Sequence, residues 1–185
     1  MRTESDGQGA RFTVRSTVED DWPLVRQTRI ENATDNPISY GATLATTLGM
    51  TEDDWRMRAR RGTAIDAMSV AAVHDDTGRW IRMMSAQEQD GPILTGVWVT
   101  PEFRGRVHGV ADALFAEVLA WVPGRGDRLT LWVDEGPAGL PARRFYARHG
   151  FTPTGRRRAI GFAPGDSIEM AMPVPGGWEP SGIDR

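Results

Sequence analysis

Apolar and polar positions along the chain fall into two periods, and the change from one to the other marks out the elements. Phe12-Thr13-Val14-Arg15 alternates, which predicts a short strand. Thr17 with Asp20 three residues on reads as a capping pair. It opens a helix that carries Trp22, Val25, Arg29 and Ile30 and ends near Ile30. Asn32 to Gly49 is rich in Asn, Pro, Ser, Thr and Gly and reads as a loop or broken helix. Thr51 with Asp54 caps a second helix, Glu52 to Arg61. The run Met68–His74 is apolar and partly β-branched, so it predicts a central strand. Asp75-Asp76-Thr77-Gly78 turns it into a returning strand, Trp80 to Gln87. Asp90-Gly91-Pro92 turns again into the strand Ile93–Thr100.

Beyond a short basic loop, Ala113, Leu114, Glu117, Val118 and Trp121 show the helical period, giving a helix from Gly109 to Val122. The strand Arg128–Val133 follows. A helical crossover links it to Ile93–Thr100, so the two should run parallel. Asp134 to Leu140 reads as a loop. A last helix starts near Pro141 and ends near His149, with Gly150 as its terminating glycine. Two final strands, Phe151–Gly155 and Ser167–Met172, bracket a loop from Arg156 to Asp166. Residues 1–11 read as a disordered leader, 12–173 as a single domain and 174–185 as a flexible tail.

Composition narrows the function classes. A chain of 185 residues with 39% hydrophobic and 25% charged residues is one ordinary globular domain. A formal net charge of -3 argues against a general nucleic-acid binder. The chain has no cysteine, which removes disulfides, thiolate nucleophiles and thiolate metal ligands. His74, His108 and His149 lack metal-ligand spacing, so no metal is expected. No apolar run approaches the length of a membrane span and no secretory h-region stands at the N-terminus, so the expected compartment is the cytoplasm.

The candidate chemistry starts in Val97-Trp98-Val99-Thr100-Pro101-Glu102-Phe103-Arg104-Gly105-Arg106-Val107-His108-Gly109-Val110-Ala111, where a strand enters a basic, glycine-containing loop that opens a helix. The first N–H groups of a helix have no internal partner, and the macrodipole puts partial positive charge there. Glycine lets backbone approach a ligand closely, and Arg104 and Arg106 add full charges. The stretch reads as a site for a diphosphate-sized anion.

Together with Ala142-Arg143-Arg144-Phe145-Tyr146-Ala147-Arg148-His149-Gly150-Phe151, this loop resembles the GNAT superfamily of acyl-CoA-dependent N-acetyltransferases. Arg106, Gly109 and Ala111 match the family's Arg/Gln-x-x-Gly-x-Gly/Ala loop. Ala142, Phe145, Tyr146, Gly150 and Phe151 match its Ala-x-x-Phe/Leu-Tyr-x-x-x-Gly-Phe segment. The chain departs from the pattern in two places. Val107-His108 lengthen the loop on its proline side. Gly139 stands where the family commonly has an Asn that bonds the pantetheine arm.

The resemblance implies an α/β GNAT fold, with a mixed six- to seven-stranded sheet, a central parallel pair splayed apart and about four flanking helices. It implies acetyl-CoA as cosubstrate, held by Trp98, Val99, Arg104, Arg106, Val107, His108, Gly109, Val110 and Ala111. Tyr146 is the implied general acid for the leaving thiolate, and Tyr40 and Trp98 the implied acceptor contacts. The expected reaction is direct acetyl transfer to an amine of a small molecule, an antibiotic or toxic metabolite among the candidates. A protein N-terminal or side-chain acetyltransferase and a non-catalytic acyl-CoA-binding module are the alternatives. The strand Ile93–Thr100 carries no carboxylate, so the base is left among Glu88, Asp90, Asp134 and Glu135. Arg156, Arg157 and Arg158 are placed to meet an acidic acceptor, the CoA 3′-phosphate or solvent. A homodimer through the late strands or the first helices fits the pattern, although no residue marks it.

Overall fold

A computed structural model describes residues 11–104 and 109–174, apart from the side chains of Ser39 and Tyr40. Its frame is a seven-stranded sheet in the order β1-β2-β3-β4-β5-β7-β6. The strands are β1 (Phe12–Ser16), β2 (Ala67–His74), β3 (Trp80–Gln89), β4 (Gly91–Val99), β5 (Arg128–Asp134), β6 (Thr152–Ala159) and β7 (Asp166–Pro173). The meander from β1 to β4 is antiparallel. β4 and β5 run parallel as the crossover rule requires, but they pair only at Ile93 and Thr130 before separating.

The separation has a local cause. On β3 and β4, Met83 faces Trp98 and Ser85 faces Thr95, so Met84 stands opposite both Gly96 and Val97. This is a β-bulge, which bends the strand that carries the extra residue. Gly96 adopts a φ of 60°, and the Arg29 guanidinium donates to its carbonyl at 2.8 Å. The left-handed φ favours glycine at 96, and a Cβ there would also lie 2.1 Å from Arg29 Nη2 and displace that guanidinium.

Helices cover the two faces differently. α1 (Trp22–Asp35) and α4 (Glu52–Arg60) place Val25, Trp55 and Ala59 against Ala71, Trp80 and Met83. α5 (Val110–Trp121) and α6 (Leu140–Arg148) cover the other face, where Leu114, Phe115, Val118 and Tyr146 join Ile81, Met84, Leu129, Leu131 and Phe151 in the main core. Two short helices, α2 (Pro37–Tyr40) and α3 (Leu44–Leu48), occupy the stretch expected to be a loop or broken helix.

Several boundaries differ from expectation. The first cap lies one residue later than Thr17 and Asp20. The Asp21 carboxylate accepts from the Val18 N–H, while the Thr17 hydroxyl donates instead to the Ala59 carbonyl at 2.7 Å. α1 runs past Ile30 to Asp35, because Asn36-Pro37 is the first stretch to deny it continuation. The expected loop from Arg156 is strand as far as Ala159. Arg157 and Arg158 pair with Ile168 and Ser167, so the turn shrinks to 160–165. Val174, assigned to the tail, belongs to the core, and its N–H donates to the Asp127 carbonyl at 2.9 Å. The Thr51–Asp54 cap forms as expected, in both directions.

Candidate active site

Where β4 and β5 part, two cavities open and meet. The first, of about 530 Å³, is lined by Trp98 and Val99 of β4, Ala111 and Asp112 of α5, and Arg82, Arg104, Phe145 and Tyr146. The second, of about 590 Å³, lies between Thr95–Val97 and Leu131–Asp134. It is closed by Ile38 and Gly41 at α2 and by Arg158–Gly161 at the end of β6. Asn36, Val97, Ala138, Ala142 and Tyr146 line both. Tyr146 therefore stands where the two spaces join.

The first cavity is bordered by the start of α5 and by the edge of β4. α5 begins at Gly109 with φ 63°, and no side chain among the described residues caps its first N–H groups. Among the described residues, a Cβ at Gly109 would meet nothing within 4 Å. Ala111 and Asp112 of the same turn line the cavity. The Asp112 carboxylate is held by Arg148 Nη2 and His149 Nε2, each at 2.8 Å. Val99 and Trp98 lie on the β4 edge freed by the splay. Arg104 folds back over this edge. Its Nε donates to the Val99 carbonyl at 3.1 Å, and its Nη2 pairs with Asp35. Arg106, Val107 and His108 lie outside the described residues, as does the side chain of Tyr40.

Tyr146 is buried, and desolvation pushes its hydroxyl up to about 12. At neutral pH it carries its proton. Arg82, which the sequence reading passed over, sits on β3 opposite Val99. It is buried, its guanidinium lies 5.7 Å from the Phe145 ring centroid, and its Nε has no partner among the described residues. Burial pushes it down to about 10, so it stays charged at neutral pH. Its one signal in the sequence is that it interrupts the apolar run Trp80-Ile81-Arg82-Met83-Met84.

The base candidates separate by position. Glu88 pairs with Arg125 at 2.5 Å, at the closed end of the sheet, and Asp90 is in the adjoining turn. Glu135 is tied to Arg157 at 2.5 Å. Asp134 alone of these lines a cavity, the second one, with its Oδ1 accepting from the Gly136 N–H at 2.8 Å. Trp98 lines the first cavity rather than the second, is buried, and donates its indole N–H to Asp35 at 3.1 Å. The absence of Asn at Gly139 also has a physical reason, since a Cβ there would lie 2.0 Å from the Asp134 carbonyl oxygen. Among the described residues no group of acidic residues and histidines is arranged to hold a metal ion, and no helix is long and apolar enough to cross a membrane.

Comparison with known proteins agrees with this geometry. No protein with a curated description matches the chain in sequence. Among solved structures, a GNAT-family acetyltransferase from Streptococcus pneumoniae superposes with a TM-score of 0.69 at 15% identity, covering 89% of this chain and 99% of its own. The PaiA N-acetyltransferase of Thermoplasma acidophilum, solved in complex with coenzyme A, gives 0.68 at 13% identity, covering 88% and 99%. An Escherichia coli ribosomal-protein alanine N-acetyltransferase gives 0.65 at 18% identity, covering 94% and 100%. At these identities the structures speak for the fold. The sequence itself matches the model of the acetyltransferase (GNAT) family over residues 39–151, so the chain belongs to the GNAT acetyltransferase family.

Proposed function

We propose that this chain is an acetyl-CoA-dependent N-acetyltransferase that passes the acetyl group directly to the amine of a small molecule. The observation that carries the reading is the meeting of two cavities at Tyr146, in the gap between β4 and β5. The first cavity takes acetyl-CoA, with the pyrophosphate at the N-terminus of α5 and the pantetheine arm along Trp98 and Val99. The second takes the acceptor, and about 590 Å³ is within the usual range of a small-molecule site.

Transfer breaks the acetyl C–S bond and forms a C–N bond, so the amine must lose a proton and the thiolate must gain one. An alkyl amine of pKa about 10.4 is protonated at neutral pH, and freeing its lone pair costs on the order of 4–5 kcal/mol. Asp134 is the proposed proton acceptor, directly or through water, because its carboxylate lies on the acceptor side with Tyr146. Tyr146 is the proposed donor to the sulfur, because it lines both cavities and carries its proton at neutral pH. Arg82 adds fixed positive charge beside the same cavity, favouring negative charge that develops on the sulfur. Arg104 already donates to the Val99 carbonyl that the pantetheine arm would share. The test is release of CoA from acetyl-CoA against an amine panel, with Tyr146→Phe and Asp134→Asn alongside. The reading expects amine-dependent release by the wild type and strong loss in both variants, and no release with any amine would overturn it.

A further inference from the structure

The arginines of β6 are not equivalent. Arg156 donates to the buried Glu169 carboxylate at 2.8 Å, and Arg157 to Glu135 at 2.5 Å. Arg158 has no carboxylate partner among the described residues. It lies 4.3 Å from the Trp132 ring centroid and lines the second cavity. Stacking on the indole fixes the plane of a guanidinium without using its N–H donors. The nearby Glu169 is already engaged by Arg156 and by the Thr154 hydroxyl at 2.7 Å. Partial burial also lowers the affinity of Arg158 for its proton.

The strand register sets what lies across from it. Asp134 pairs with Ser167 on β7, and Ser167 pairs with Arg158 on β6. Residues paired across a ladder point to the same face, so all three face the acceptor cavity, and all three line it. A carboxylate and a guanidinium thus flank the cavity two strand spacings apart, roughly 10 Å between backbones. That polarity complements a molecule carrying an amine at one end and an anion at the other.

We propose that Arg158 selects acceptors that carry a carboxylate close to the reacting amine, as an amino acid does, with the amine turned towards Asp134 and Tyr146. This rests on the acetyltransferase reading above. A planar guanidinium held by Trp132 offers a carboxylate two parallel N–H donors, a geometry lysine cannot give.

The experiment compares matched acceptors with and without the carboxylate, such as phenylalanine against phenethylamine and methionine against its decarboxylated amine. CoA release is followed with the full-length chain, its Arg158→Gln and Arg158→Lys variants, and Arg157→Gln as control. The carboxylate-bearing member should be favoured in kcat/KM by about tenfold or more. Arg158→Gln should abolish the preference through KM, Arg158→Lys should keep part of it, and Arg157→Gln should leave it intact. Equal use of both members, preference for the plain amine, or a preference that survives Arg158→Gln would overturn the inference while acetyl transfer stood. Release of CoA with neither class would overturn the acetyltransferase reading, and this inference with it.

Discussion

The Trp98 indole donates to the Asp35 carboxylate at 3.1 Å, joining the freed edge of β4 to the last residue of α1. The same Asp35 oxygen takes Arg104, which also donates to the Val99 carbonyl. One carboxylate thus ties the first helix, the splayed strand and Arg104 beyond it. Asp35→Asn should lower stability by about 1–2 kcal/mol in denaturant unfolding, because both donors lose a charged acceptor. Unchanged stability would show that the contacts contribute nothing net.

Tyr146→Phe should reduce kcat by about 10²–10⁴ while the acetyl-CoA Kd moves by less than about threefold. A sensor without turnover would show neither change.

The ionisation of Tyr146 is separately visible because the chain has only two tyrosines. Its folded pKa is raised from 10.0 to about 12, so the native state holds the proton longer than the unfolded one. The resulting stability is complete below pH 10 and is lost as pH rises through about 12. A tyrosinate absorbance titration should show a late step near pH 12 that is missing from Tyr146→Phe.

Arg82→Met should separate electrostatics from packing. Exchanging a buried guanidinium that has no carboxylate partner among the described residues for an apolar side chain of similar length should leave stability unchanged or raise it by about 1 kcal/mol or more. The kcat should fall by about tenfold or more, since the charge beside Tyr146 is gone. Unimpaired kcat would remove Arg82 from the proposed chemistry.

Glycine at 96 and at 139 is imposed by neighbours. Gly96→Ala combines a left-handed backbone with a Cβ 2.1 Å from Arg29 Nη2, and should cost about 2–4 kcal/mol. Gly139→Asn, which restores the common family residue, should destabilise by about 2 kcal/mol or more rather than tighten cofactor binding, because the Asp134 carbonyl occupies the space a Cβ needs. Thermal melting of both variants checks the pair.

These glycines also show where the sequence was legible and where it was not. The strand–loop–helix around Gly109, the parallel β4–β5 pair and the Thr51–Asp54 cap follow from local period and short-range spacing. The bulge depends on Arg29 reaching Gly96 across 67 positions. The proposed roles of Arg82 and Arg158 depend on which strands become neighbours, and a run of three arginines does not reveal which one lacks a carboxylate among the described residues. The continuation of β6 from Arg156 to Ala159 was not legible, because its residues are exposed and carry no alternation. Tyr146 was legible through its motif, whereas its place between two cavities emerges only from the fold.

The most direct test of the account is calorimetric titration of the wild-type chain and Tyr146→Phe with acetyl-CoA, followed by amine-dependent CoA release on the same samples. The account predicts a Kd on the order of micromolar for both proteins, with turnover confined to the wild type. Absence of binding up to millimolar acetyl-CoA, or equal turnover by Tyr146→Phe, would contradict it.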